Sequence, residues 1–138
     1  MPQPNRNPRL GLSAKAALWL RIWIWSFRVQ VGVRRHSLPE FVRRLGAPAH
    51  GKPPALDPVR LGRVVVRVLR LGPYRARCLT TSLVLYRFLR EYGRPAELVI
   101  GMPESPDGYE THAWVELAGR DVGPPPGRGH HLEMARYG

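Results

Sequence analysis

The sequence predicts an α+β domain, with helices first and a small antiparallel sheet after them. Three observations carry that reading. Up to about residue 93, apolar residues recur at three-and-four spacing between helix starts and helix breakers. From residue 97 the period changes, and ELVIGM (97–102), HAWVEL (112–117) and RDVG (120–123) are short β-favouring runs divided by Gly, Pro and Asp. At 138 residues and 43% hydrophobic content, the chain suits one core of ordinary composition.

The elements follow in order. Residues 1–11 (MPQPNRNPRLG) are rich in Pro, Asn and Arg and are expected to be disordered. Ser13 can cap a helix over Ala14–Val31 that ends near Gly32. Trp19, Leu20, Trp23, Ile24 and Phe27 form its apolar stripe, expected to pack on the rest of the domain, with Trp25 off that stripe. A second reading makes residues 14–31 a cationic interfacial helix in peripheral contact with a membrane, because Trp beside Arg suits the headgroup layer. In SLPEFVRRLG (37–46), Ser37 and Glu40 have the spacing of a capping box. APAHGKPPALDP (47–58) reads as a linker, and Pro58 as the first residue of a helix. Val64, Val65, Val68 and Leu69 are the inner face of that helix, and Arg60, Arg63, Arg67 and Arg70 its outer ridge. Gly72-Pro73 breaks it. The next helix opens at Cys78, carries Leu79, Leu83, Tyr86, Phe88 and Leu89 over a broad face, and stops at Gly93. Such a face belongs to a central, largely buried helix. Ala118-Gly119 is a tight turn, residues 124–131 are loop, and HLEMARYG is a small terminal element. The chain thus divides into a cationic helical region with its linker (1–56) and a core (57–138).

Charge is unevenly spread. Residues 1–70 hold 14 Lys and Arg against Glu40 and Asp57, whereas residues 71–138 hold 8 Arg against 8 acids. The whole +12 balance therefore lies in the front half, which bears on partners and not on fold. The one cysteine excludes an internal disulfide framework and suits a reducing compartment, so a cytoplasmic location is expected. No Cys pair exists, and His130 and His131 are adjacent, so neither zinc nor any other cofactor is expected. Arg21 and Arg28 interrupt the first apolar run, against both a secretory signal and a membrane span. No nucleic-acid-binding motif accompanies the charge, so no nucleic-acid partner is expected.

Cys78 and His112 carry the candidate chemistry. A helix N-terminus lowers a thiol's pKa through its free N–H groups and dipole, and Arg75 and Arg77 precede Cys78. The same N–H groups suit an oxyanion. His112 begins a strand of the sheet that must pack on this helix, where an imidazole would act as base and then acid. Against this, a lone cysteine on an apolar helix is usually a small buried hydrophobe.

Three stretches, CLTTSLVLYRFLREYG, AELVIGMP and THAWVELAGR, together resemble the transglutaminase-like processing proteases of lasso-peptide biosynthesis. The likeness spans about residues 57–123 and is tightest at Cys78–Gly93 and His112–Arg120. It implies a papain/transglutaminase-like fold, Cys78 as nucleophile and His112 as base. It also implies a leader peptidase acting on a ribosomally made precursor peptide, a separate leader-recognition protein, and a lasso cyclase that acts next.

The family draws an orienting Asp from about twelve residues beyond the His, where this chain has Pro124. Asp121 is the nearest acid. With a turn at Ala118-Gly119 it faces Glu116, four pairs or roughly 13 Å from His112, while Ala113 faces Pro124 and His112 faces Pro125. Glu110, Asp107, Glu133 and a backbone carbonyl are the alternatives. Other readings keep the fold but change its use: an amine acceptor makes an acyltransferase, the Pro at 124 suggests an inactive scaffold, and the cationic front half suggests a basic module for a partner protein or an acidic leader. Trp114 shares a strand face with His112 and either shields the site or fills core. Ser82 is read as a packing residue.

Overall fold

Helices precede strands in the computed structural model: α1 (Leu12–Arg35), α2 (Leu38–Leu45), α3 (Pro58–Arg70), α4 (Cys78–Glu91), β1 (Ala96–Pro103), β2 (His112–Leu117), β3 (Arg120–Gly123) and β4 (His131–Tyr137). The structure describes residues 11–46, 57–70, 78–91, 93–103, 112–123 and 131–138. The expected disordered tail, the linker after residue 46, the Gly72-Pro73 break and the loops at 104–111 and 124–130 lie outside the described residues.

The strands form one antiparallel sheet in the order β3-β2-β1-β4. Together with the helices this is the mixed α+β architecture that the order of helical and alternating patterns predicts. The terminal element HLEMARYG supplies β4, an edge strand on β1.

α4 is the central helix. It contacts α1, α2 and α3 as well as β1 and β2, and residues 81–86 with Phe88 and Leu89 are all buried. Each large apolar side chain fully removed from water there contributes about 1.5–3 kcal/mol. Its end has two reciprocal bonds: the Gly93 N–H donates to the Arg90 carbonyl at 3.0 Å, and the Arg94 N–H to the Leu89 carbonyl at 2.8 Å. Gly93 sits at φ +75°, a conformation glycine takes without strain. The core runs across residue 56, joining Leu18, Ile22 and Val29 of α1 to Leu61, Val65 and Val68 of α3 and to Leu98 and Val115 of the sheet.

α1 departs from expectation. It starts at Leu12 with Gly11 as its cap, so Ser13 is inside the helix, and it runs to Arg35 rather than stopping near Gly32. Its buried residues are Leu18, Ile22, Ser26, Val29 and Gly32. Most of the expected packing stripe faces outward, leaving Leu20 62% and Phe27 70% exposed, while Trp23 of that stripe and Trp25 beside it pack against the core. The reason is steric. Gly32 lies against the Phe41 ring of α2 so closely that a Cβ would overlap it, and Ser26 is also small and buried. Two guanidinium groups lie over the Trp25 ring, Arg87 at 4.7 Å and Arg28 at 5.1 Å from its centroid.

α2 also differs in detail. Ser37 occupies the N-cap but makes no side-chain cap bond. Pro39 removes one N–H that a capping hydroxyl would accept from, and Glu40 instead receives a hydrogen bond from Arg44 at 3.0 Å. α3 keeps the expected arrangement, with Val65, Val68 and Leu69 buried and Arg63, Arg67 and Arg70 exposed, although Val64 is only half-buried. Among the described residues, no helix is long and apolar enough to cross a membrane.

Candidate active site

Cys78 is the first residue of α4, and His112 is the first residue of β2. A buried hydrogen bond ties these two element starts together: Ser82 Oγ donates to the Ala113 carbonyl at 2.8 Å. Ser82 is one helical turn beyond Cys78, about 6 Å along the axis, and Ala113 adjoins His112. The N-terminal turn of α4 is thus anchored at the start of the strand that carries the histidine. Ser82 is fully buried, consistent with its reading as a packing residue, but its hydroxyl also has this positional role.

Strand alternation sorts the side chains of β2. Val115 and Leu117 join the core under the helices, with their partners Leu98 and Ala96. His112, Trp114 and Glu116 share the other face, which places the imidazole at the end of the sheet rather than beneath α4. His112 is half-buried, and its ring stacks on Trp114 with centroids 5.8 Å apart and planes 24° apart. Trp114 is 2% exposed. Its six-membered ring occupies the space above Gly101, where an added Cβ would come within 2.8 Å of the indole. Trp114 therefore forms one wall of the histidine's surroundings and is buried structure as well.

Sequence reasoning missed the polar network behind this wall. Trp114 Nε1 donates to Glu116 Oε2 at 2.9 Å, and Glu116 is 4% exposed. Its other oxygen receives Arg136 Nη2 at 3.3 Å. Arg136 also donates to Glu133 at 2.9 and 3.0 Å and to Glu97. The hydrogen bonds it donates to Glu133 and then Glu97 hold the guanidinium's pKa above its ordinary value, despite some desolvation. The period-two spacing of His112, Trp114 and Glu116 was the available signal; the arrival of Arg136 from β4 was not legible, because the terminal element had no assigned strand pairing.

The alternative orienting acids are placed as follows. Asp121 pairs with Glu116 and Arg120 with Leu117, as the turn at Ala118-Gly119 predicts. Both turn residues have positive φ, 51° and 78°, the twist that suits a two-residue hairpin. Asp121 is thus about four residues, or ~13 Å, from the His112 end of the strand. Beyond that pair the expected register is corrected, because a bulge sets Val115 opposite Gly123. Glu133 and His112 both flank Gly101, on either side of β1, which separates their backbones by about 10 Å. The Glu133 carboxylate is engaged by Arg136. Glu110, Asp107, Pro124 and Pro125 lie outside the described residues. Among the described residues, no three His, Cys, Asp or Glu gather as metal ligands.

No curated protein matches the chain, and no solved structure does. A family model described as Transglutaminase-like superfamily matches residues 16–135. That span takes in most of α1, the N-terminal turn of α4 and the His112 strand, so the chain belongs to the transglutaminase-like superfamily.

Proposed function

We propose that this protein is a cysteine peptidase that removes the leader segment from a ribosomally synthesised lasso-peptide precursor, with Cys78 as nucleophile and His112 as general base and acid. The observation that carries the reading is the Ser82–Ala113 hydrogen bond, which holds the starts of α4 and β2 together. Membership of a superfamily that generally includes cysteine peptidases, and the likeness of the Cys78–Gly93 and His112–Arg120 stretches to the lasso proteases, supply the rest.

In this mechanism the Cys78 thiolate attacks the scissile carbonyl, and unpaired N–H groups of the first turn of α4 receive the oxyanion. The tetrahedral adduct collapses to a thioester as the C–N bond breaks, and His112 protonates the departing amine. Water then attacks the thioester, His112 accepts its proton, and the leader carboxylate leaves as the thiol is restored. A separate recognition protein would present the leader, and a cyclase would take the freed core peptide, in a cytoplasmic assembly.

A second reading, an inactive scaffold, has its own support in the sequence: Pro124 stands where the resemblance places the orienting Asp, and losing an orienting carboxylate lowers triad rates by orders of magnitude. Incubating the precursor encoded beside this gene with the protein and its neighbouring recognition protein, followed by intact-mass analysis, separates the two. Cleavage by wild type and not by Cys78→Ala is the expected result. No cleavage by either, with precursor binding retained, would establish the scaffold instead.

A further inference from the structure

We infer that the groove between α1 and α3 is a binding site for an acidic peptide segment with an apolar anchor. The groove encloses about 760 Å³, within the usual range of roughly 300–1,000 Å³ for ligand sites. Lys15 of α1 and Arg60, Arg63 and Arg67 of α3 line it, with Asp57 as the lone acid in that lining. Among the described residues, none of these four cations forms an ion pair. Four cations against one acid give this concave surface a positive balance.

The groove floor identifies the class of ligand. Trp19 is 41% exposed beside the half-buried Val64, an apolar surface that a phosphodiester backbone would leave unused. The concavity likewise does not suit a planar bilayer surface, which an interfacial helix meets with an outward face. A peptide meets both requirements, with carboxylates for the arginines and one apolar side chain for the indole. Arg60, Arg63 and Arg67 are spaced at about 5–10 Å along α3, which sets the spacing of the ligand's carboxylates. The inference does not depend on the peptidase reading, because it concerns binding and not cleavage.

The test is selection of a random dodecamer library displayed on phage against the full-length protein, followed by titration of the selected peptides as synthetic, labelled probes. Enriched sequences are expected to carry two or more acids around an apolar residue. Their affinity is expected to fall at least tenfold for Arg60→Glu/Arg63→Glu/Arg67→Glu and severalfold for Trp19→Ala, and to weaken with added salt. Arg63→Glu alone, at an exposed position, serves if the triple variant loses its thermal transition. Selected peptides without acidic bias, or equal binding by wild type and variants, would overturn the inference. So would binding of poly-U oligonucleotide or phosphatidylserine vesicles, with no peptide bound.

Discussion

Glu116 is a nearly buried carboxylate whose charge depends on two donors, the Trp114 indole and Arg136. Removing one partner of such a pair costs more than the pair contributes, because the other charge is left desolvated. Arg136→Met is therefore expected to lower stability by about 2 kcal/mol, less than for a fully buried pair because Arg136 is 37% exposed. Glu116→Gln in the same chain should restore about half of that loss, which a double-mutant cycle of urea unfolding measures. Ser82→Ala should cost about 1–2 kcal/mol, since it strands a buried carbonyl; its effect on cleavage should exceed the same loss of stability introduced at a core site remote from His112. Tyr86 adds a pH dependence. Burial, opposed by Arg90, holds its hydroxyl above the ordinary 10.0. The folded state then keeps the proton that the unfolded chain releases, so this contribution is complete below pH 10.0 and is lost as pH rises toward the folded-state value. Thermal unfolding between pH 9 and 11 should fall less steeply for Tyr86→Phe.

At the scale of elements, α1 shows where periodicity was insufficient. Leu18 through Phe27 is apolar almost all round, so two adjacent stripes fit a three-and-four spacing equally well. Small residues decided between them: Ser26 and Gly32 allow close approach, and the bulky stripe turns outward. Gly32→Ala should therefore destabilise the protein by about 1–3 kcal/mol through overlap with Phe41, and Phe41→Leu in the same chain should recover part of the lost melting temperature. α3, α4 and the β2–β3 turn were legible because their punctuation is local: Pro58, Gly93 and Ala118-Gly119 act through their own backbone. The β4 pairing and both bulges were not, because they depend on partners 28 to 39 residues away or on one extra residue in a ladder.

At the scale of the molecule, the order of elements brings the start of α4 to the start of β2. Helices first and strands last set α4 on β1 and β2, and the Ser82–Ala113 bond fixes which ends coincide. Sequence words are what propose the Cys78–His112 pairing, whereas the Trp114–Glu116–Arg136 network behind the histidine arises only from tertiary convergence. Part of the front-half charge, Lys15 of α1 with Arg60, Arg63 and Arg67 of α3, lines one groove. The central claim is that Cys78 is an activated thiol coupled to His112. Because it is the only cysteine in the chain, the rate of alkylation by iodoacetamide reports on it alone. Measured from pH 4 to 10, the wild-type rate should persist well below the free-thiol midpoint of about 8.5, and His112→Ala should shift the profile upward. A profile centred near the free-thiol value and unchanged by His112→Ala would contradict the account.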